Sequence, residues 1–297
     1  PKTPKPHDIE KNNIKITKNI IDLVSENCEK AFVPQEFFLK NEQYVLNILV
    51  DETDIKIINK IEKQNGKLGD YFKYISPGID GDKNKYVSDN PINEKYKPLL
   101  YGKSFTRYLV RESSNFILYD RELLNRARSE EIYLSDKIII QRISGGLMPI
   151  TGTIDKNKYY TFNSVNNLIP KTEFKEYLEY FMALINSKLI NWYYAIKFSN
   201  RSNLTVNISK TFLEILPIFI TSNQSSLNEI KELVNKILSK NSELQTVANQ
   251  TTNLIESKFE QIKNNRKINN WYELEFKEFI VELKHNSINL SLAEEAE

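Results

Sequence analysis

The sequence has almost none of the residues on which disulfide-rich and zinc-binding proteins depend. It contains one cysteine, Cys28, and two histidines, His7 and His285. One cysteine cannot form an intramolecular disulfide, and these three residues do not have the spacing of a zinc site. We therefore predict that the chain has neither a disulfide framework nor a metal centre.

Long hydrophobic runs and targeting segments are also missing. No stretch approaches the ~20 apolar residues that cross a bilayer, and no secretory signal opens the chain. Hydrophobic residues make up 40% and charged residues 27% of the 297 residues, which favours a globular protein over a disordered one. We expect a cytoplasmic protein with no membrane partner. Because the sequence begins with Pro1 rather than methionine, we also expect it to be part of a longer chain.

Motifs that hold phosphate groups during catalysis are absent as well. The eight glycines form neither a G-x-x-x-x-G-K-[ST] loop nor a G-x-G-x-x-G loop after a predicted strand. Asp80, Asp82 and Asn84 imitate the start of a calcium loop, but Lys85 stands where that loop needs glycine. We predict no catalytic residue in this chain and leave open whether it belongs to an enzyme.

Arginine is concentrated in one part of the chain. The 41 basic residues nearly balance the 39 acidic ones, yet six of the eight arginines lie within residues 107–142. The planar arginine side chain forms paired hydrogen bonds with guanine edges and phosphates, so this cluster favours nucleic-acid contact. The alternative is that the middle three arginines form surface ion pairs with nearby acids. These residues are Arg121, Arg126 and Arg128, with Asp120, Glu122, Glu130 and Glu131.

The middle of the chain is rich in β-branched and aromatic residues, which predict strands. We place single strands at residues 115–120, 136–144 and 212–220. Residues 149–155 and 158–165 resemble the two arms of a hairpin.

Hydrophobic residues recur at spacings of three and four in several other segments, which predicts helices. The segments are residues 54–64, 172–198, 227–255 and 270–285. Thr172 is the predicted N-cap of the longest apolar one. The seam in residues 227–255 is heptad-like but interrupted by polar residues, so it favours a helix packed along a partner surface or an antiparallel pair.

Basic and amide side chains occur in the segments between the predicted strands. The segments are SPGIDGDKNKYV (76–87), YGKSFTRY (101–108), QRISGG (141–146), FNSVNN (162–167) and KFSNRSN (197–203). Arginine contacts guanine edges, asparagine and glutamine contact adenine, and serine contacts either base. The candidates for DNA binding are Lys83, Lys85, Lys103, Arg107, Gln141, Arg142, Asn163, Ser164, Asn200 and Arg201, with Asn166 and Asn167 in the same group. Each segment taken alone is also typical of an ordinary polar loop.

Several motifs occur in the order that one family shows. They are YGKSFTRY, DKIIIQRISGGLMPITGTIDKNKYYTFNSVNNLI, YFMALINSKLINWYY and FLEILPI. In this order they resemble the TaqI-like C-terminal specificity domain, which is the target-recognition domain of adenine DNA methyltransferases and of single-chain restriction-modification enzymes. The resemblance extends over residues 33–283.

The resemblance implies a mixed α/β (α+β) recognition domain that contacts the grooves of double-stranded DNA. We expect residues 1–34 to connect to a preceding catalytic domain, residues 35–220 to form the recognition domain and residues 221–297 to form a helical tail. The implied partners are double-stranded DNA and a methyltransferase domain in the same polypeptide. S-adenosylmethionine is expected in that missing domain and no cofactor in this chain.

The departure from a complete methyltransferase is clear in the sequence. Asn90-Pro91 is followed by Ile92, whereas the loop that holds a flipped adenine needs Asn or Asp, two prolines and an aromatic residue. Two alternatives stay open. The chain could be a specificity subunit that acts in trans with a separate methyltransferase, or an interaction domain that binds no nucleic acid.

Overall fold

The computed structural model describes residues 13–15, 30–32, 50–64, 66–111, 113–124, 128–146, 148–199, 206–259 and 267–291. Most of the predicted connector, residues 1–34, lies outside these ranges. Within it, two short strands pair antiparallel, with Asn13 opposite Phe32.

The strands are short and most of them lie in the first two thirds of the chain. In chain order they are β1 (Asn13–Lys15), β2 (Lys30–Phe32), β3 (Phe72–Pro77), β4 (Val87–Ser88), β5 (Tyr96–Leu100), β6 (Phe105–Thr106), β7 (Leu109–Val110), β8 (Phe116–Leu118), β9 (Lys137–Gln141), β10 (Ile143–Ser144), β11 (Gly152–Asp155), β12 (Tyr160–Thr161), β13 (Val165–Pro170) and β14 (Val206–Asn207).

The helices alternate with the strands and then dominate the last third of the chain. They are α1 (Glu52–Glu62), α2 (Leu68–Tyr71), α3 (Lys83–Tyr86), α4 (Glu131–Leu134), α5 (Leu178–Asn186), α6 (Lys188–Ser199), α7 (Lys210–Glu214), α8 (Gln224–Lys258) and α9 (Phe276–His285). Short 3₁₀ helices cover Gly102–Ser104, Thr172–Tyr177 and Ile268–Glu273.

A central antiparallel sheet has the strand order β11-β9-β13-β3. The inner strands β9 and β13 are rich in Ile, Val and Leu and are buried almost throughout, as expected for strands covered on both faces. Helix α5 packs on this sheet, where the rings of Phe181 and Phe72 lie 5.2 Å apart. The strands predicted from the apolar runs at residues 115–120 and 136–144 are confirmed as β8 and as β9 with β10.

A second sheet has the order β12-β5-β8-β4 and includes one parallel pair, β12 with β5. Its side chains share a hydrophobic cluster with Ile169 of the central sheet, in which the rings of Tyr133 and Tyr160 stack at 4.7 Å. The core of the first part of the chain therefore lies between the two sheets and under α5.

The predicted hairpin of residues 149–155 and 158–165 is wrong. Strand β11 pairs with β9 in the central sheet, whereas β12 pairs with β5 in the second sheet. The carboxylate of Asp155 accepts hydrogen bonds from the backbone N–H groups of Asn157, at 2.9 Å, and Tyr159, at 3.0 Å. This local turn directs the chain out of the first sheet and into the second.

The predicted helix over residues 172–198 is broken into three pieces. It begins as a 3₁₀ helix, and Thr172 lies inside that helix rather than at its N-cap, which is Lys171. The break between α5 and α6 falls at Ser187, whose backbone is extended with ψ 151°. The Ser187 hydroxyl accepts from the Ile190 N–H at 3.2 Å and so caps α6. The apolar spacing continues across the break, which is why periodicity alone did not reveal it.

The strand predicted at residues 212–220 is wrong as well. Ser209 accepts from the Phe212 N–H at 3.2 Å and begins helix α7. After that helix the described chain forms an isolated bridge between Pro217 and Lys67 rather than a strand. Proline has no N–H to extend such a ladder.

The chain divides into two compact units, Pro1–Val234 and Asn235–Glu297. The second unit is helical, with its own hydrophobic cluster of Ile268, Ile280, Leu283 and Ile288. The predicted α+β class with a helical C-terminal segment is confirmed. Among the described residues, none of the helices combines the length and the hydropathy that a membrane span requires.

One ion pair is fully buried in the central sheet. Lys137 at the start of β9 lies opposite Asp155 at the end of β11, with 2.6 Å between Nζ and Oδ2 and no exposure of either side chain. Lys137 also donates to the Tyr133 carbonyl at 2.8 Å. Burial lowers the pKa of Lys137, and the Asp155 carboxylate acts in the opposite direction. The pair fixes the register of β9 with β11 and the turn that follows.

We predict that Lys137→Met lowers the free energy of unfolding by about 3–5 kcal/mol, because the Asp155 carboxylate would stay buried without its cation. Urea titration followed by circular dichroism measures the loss. Lys95→Met is the matched control, because it breaks an exposed pair with Asp120 and should cost much less. Equal losses for the two variants would contradict the structural role given to the buried pair.

Candidate nucleic-acid interface

Four polar segments of the chain meet at one end of the central sheet. Gln141 at the end of β9 lies opposite Val165 at the start of β13, and Pro77 at the end of β3 lies opposite Asn166. Gly152 at the start of β11 lies opposite Ile140. Residues 78–86, 141–146 and 162–165 leave or enter these strands and therefore lie at the same end. Residues 101–107 join them there, because the Gly102 N–H donates to the Ser164 hydroxyl. We call this end, with its four segments, the loop edge. Lys137 and Asp155 lie at the other end of the sheet.

Arg142, Asn163 and Ser164 are in direct contact at the loop edge. The Arg142 side chain donates to the Asn163 carbonyl at 3.2 Å, and its backbone N–H donates to the Ser164 carbonyl at 2.9 Å. The Ser164 hydroxyl accepts from the Gly102 N–H at 3.0 Å, which places the Lys103 turn beside it. All three side chains are half-buried, so the protein holds them in place while part of each is accessible.

The segment that carries Lys83 and Lys85 is joined to the same edge. The Gly78 N–H donates to the Val165 carbonyl at 2.9 Å, and the Ile79 N–H donates to the Thr161 carbonyl at 2.8 Å. A Cβ atom at Gly78 would lie 2.3 Å from the Thr161 carbonyl oxygen, so only glycine permits this approach. The loop after β3 is therefore fixed against the start of β13.

Lysine side chains supply the exposed positive charge here. Lys83, Lys85 and Lys103 are exposed, and the Lys83 ammonium group lies 5.1 Å from the centre of the Tyr101 ring. Lys103 stands in the 3₁₀ turn directly after Gly102. Mobile ammonium groups on a fixed backbone are suited to phosphate contact, which positions a duplex without selecting its sequence.

Arg107 makes contacts within the protein. It lies in the turn between β6 and β7, and its Nη2 donates to the carbonyls of Met148, at 2.6 Å, and Ile150, at 2.7 Å. Burial lowers the pKa of Arg107. The next residue, Tyr108, has the left-handed value φ 58°. Arg107 thus ties this hairpin to the segment before β11, and its contact with DNA stays a prediction.

Gln141 also makes a contact inside the protein. Its side-chain N–H donates to the Phe105 carbonyl at 2.8 Å, so it joins the same hairpin to the end of β9. The Gly145-Gly146 pair that follows includes a residue in the left-handed region, Gly146 with φ 78°. A Cβ atom at Gly146 would meet no atom of the described residues within 4 Å, so the positive φ of the turn is what requires glycine here.

Asn200 and Arg201 lie outside the described residues, so their placement stays a prediction. Strand β14, which follows them, pairs with β10. The Ile208 N–H donates to the Arg142 carbonyl at 2.8 Å. The described chain after Arg201 therefore returns to the loop edge.

Asn166 and Asn167 are not accessible as the sequence suggested, because they are 1% and 0% exposed. The Asn166 amide donates to the Ile208 carbonyl at 2.7 Å. The Asn167 amide donates to the Thr161 hydroxyl at 2.7 Å and to the Ser76 carbonyl at 3.3 Å. These two residues lie within β13 and join neighbouring segments to it, so they support the interface from inside.

Two further buried asparagines were missed because they lie in a segment that the sequence assigned to the apolar core. Asn186 accepts from the Gly152 N–H at 3.2 Å and donates to the Gly152 carbonyl at 3.0 Å. Asn191 accepts from the Ile150 N–H at 2.8 Å. The signal was available in ALINSKLIN, where two amides interrupt an apolar helix and so require buried partners.

Of the three arginines in that alternative, the structure describes Arg121 and Arg128, and within the described residues no ion pair joins either of them to the predicted acids. Asp120 pairs with Lys95 at 2.8 Å, and Glu131 pairs with Lys73 at 2.6 Å. Arg126 lies outside the described residues. In the part of the chain that the structure describes, these two acids thus pair with lysines rather than with the arginines beside them. No group of three or more His, Cys, Asp or Glu side chains there is placed to hold a metal ion.

We predict that Asn186→Leu removes the side-chain acceptor of the Gly152 N–H and lowers the free energy of unfolding by about 1–3 kcal/mol. Hydrogen exchange at Gly152 should accelerate, because its buried N–H loses its acceptor. Asn84→Leu, at an exposed asparagine, is the control and should leave this exchange rate unchanged. Unchanged exchange in Asn186→Leu would show that the amide does not hold the segment before β11.

Comparison with known families covers most of this interface. Residues 97–218 match the TaqI-like C-terminal specificity domain, and residues 223–297 match a domain of unknown function (DUF8810). No curated protein matches the chain. The first range includes Lys103, Arg142, Asn163 and Ser164. A TaqI-like specificity domain implies a role in DNA recognition in methyltransferase-related proteins. The resemblance seen in the sequence is thus confirmed over residues 97–218, which match the TaqI-like C-terminal specificity domain.

Proposed function

We propose that this chain recognises a specific sequence in double-stranded DNA for an adenine-specific methyltransferase, or a methyltransferase-endonuclease, of a restriction-modification system. The observation that carries the proposal is the loop edge. Polar side chains from four segments meet there, and most of them lie within the specificity-domain match.

The loop edge divides into two kinds of side chain that DNA recognition needs. Lys83, Lys85 and Lys103 are exposed and suited to phosphates. Arg142 and Asn163 are half-buried, and a hydrogen bond holds each side chain, so each can contact a base edge with little further loss of side-chain freedom. Each well-formed base contact is worth about 1–3 kcal/mol of discrimination.

The methyltransferase and S-adenosylmethionine complete the proposal. Methylation of the adenine amino group requires that the base leave the helix, which costs a few kcal/mol. A recognition module that holds the flanking duplex offsets part of that cost. We propose that the methyltransferase domain is in the same polypeptide and that it, rather than this chain, binds S-adenosylmethionine.

A specificity subunit that acts in trans is the second candidate. Helix α8 carries exposed apolar side chains, several of them seven residues apart, which favours contact with another helix. These are Leu233, Ile237, Leu244, Val247 and Leu254, with exposed fractions between 41% and 68%. An adenine-methyltransferase sequence in frame before Pro1 would exclude this candidate.

We predict that the chain binds duplex DNA with a log–log salt dependence of about −4 to −5, as four to six phosphate contacts would give. Lys103→Ala should weaken binding to all sequences and make the log–log salt dependence shallower by about 0.9, because one phosphate contact is lost. Arg142→Lys keeps the charge but removes the planar fork, so it should relax the preference at one base pair with little change in slope.

Fluorescence anisotropy across a salt titration, with duplexes selected from a randomised pool, measures both effects. Lys240→Ala is the control, because this exposed lysine of α8 pairs with Glu243 and lies outside the specificity-domain match. No detectable binding of the wild-type chain near 50 mM salt would contradict the proposal.

A further inference from the structure

Asp80 and Asn163 are far apart in the sequence but are in direct contact in the structure. The Asn163 side-chain N–H donates to Oδ1 of Asp80 at 2.8 Å, across the gap between the loop after β3 and the loop before β13. A carboxylate accepts hydrogen bonds and does not donate them. The amide therefore has one favourable orientation, with its nitrogen toward Asp80 and its oxygen directed away from that carboxylate.

Asp80 and Asn163 lie on backbone segments that are fixed relative to each other. Ile79 forms a parallel bridge with Phe162, so the residues just before Asp80 and Asn163 are joined. Gly78 permits the close approach of the two segments. The Arg142 side chain donates to the backbone carbonyl oxygen of Asn163 at 3.2 Å and so leaves the side-chain amide oxygen of Asn163 unused. The orientation of the amide is thus set before any ligand arrives, which reduces the entropy cost of a later contact.

The hydrogen-bonding groups of the Asn163 amide that Asp80 does not use are complementary to adenine. One N–H and the amide oxygen remain, and Asn163 is half-exposed at the loop edge. In the major groove adenine presents an N7 acceptor beside an amino donor, whereas guanine presents two acceptors. A fixed amide with one N–H and one oxygen available forms hydrogen bonds with both adenine groups. Opposite guanine, the amide oxygen faces an acceptor, so that hydrogen bond cannot form.

We propose that Asp80 is a positioning residue that fixes the amide of Asn163 for contact with an adenine in the major groove of the recognised duplex. The proposal rests on the proposed function and adds to it a specificity-determining pair. Asp80 lies before residue 97 and so outside the specificity-domain match. The loop edge therefore draws one of its determinants from the segment that precedes that match.

The test uses the full chain and a duplex pool with randomised positions, followed by sequencing of the bound fraction and affinity measurements on single duplexes. In Asp80→Asn the new amide can either donate or accept, so Asn163 is free to turn over. The preference for adenine at one position should fall about tenfold, within the range of one base contact. Affinity for all duplexes should rise, because a negative charge is removed.

Asp82→Asn is the matched control, because it removes the same charge two residues away. Asp82 caps α3 by accepting from the Asn84 N–H at 2.9 Å, and asparagine is an equally good cap. This variant should raise general affinity and leave the adenine preference intact. Asn163→Ala should lose the preference at the same position as Asp80→Asn, and combining the two should add no further loss.

The outcomes separate this inference from the proposed function. If the wild-type chain binds no duplex at low salt, both the proposed function and this inference fail. If the wild-type chain selects a sequence and Asp80→Asn behaves as Asp82→Asn does, only the inference fails. Loss of a cytosine preference in Asp80→Asn, with adenine unaffected, would also overturn it, because Asp80 would then contact a base directly.

Discussion

Buried asparagine side chains hold the ends of the strands together where the ladder hydrogen bonds of the sheet run out. Asn186 bonds both backbone groups of Gly152, and Asn191 bonds the N–H of Ile150. Asn166 bonds the carbonyl of Ile208, and Asn167 bonds that of Ser76. Buried backbone groups without partners are costly, so loops at a sheet edge normally move toward water. Here the buried asparagine side chains form hydrogen bonds with these backbone groups, so the loops stay in fixed positions.

This constraint explains how a recognition surface can be built from loops. Arg142, Asn163 and Ser164 are half-buried and contact one another through groups that the sheet positions. Exposed lysines lie in loops at the same edge. Fixed polar groups can discriminate between base edges because they do not rearrange to suit each base, whereas the lysines tolerate any sequence.

Local patterns predicted the elements that depend on local properties. The apolar run at residues 136–144 became β9 and β10, and the periodic segment at residues 227–255 lies within α8. The hairpin at residues 149–165 was wrong because its two strands join different sheets, a non-local choice set by the Asp155 turn. The candidate site followed the same rule. Segments rich in polar residues were found, but sequence could not separate half-exposed Asn163 from buried Asn166, since a buried amide is distinguished only by its partners.

Hydrogen–deuterium exchange of the full chain, with and without a duplex selected from a randomised pool, tests the central claim most directly. The claim is that the loop edge contacts DNA. Exchange should slow in residues 78–86, 101–107, 141–146 and 162–165. It should stay unchanged at the opposite end of the central sheet, around Lys137 and Asp155. Protection at that opposite end, or no protection in the four loops while the duplex is bound, would contradict the account.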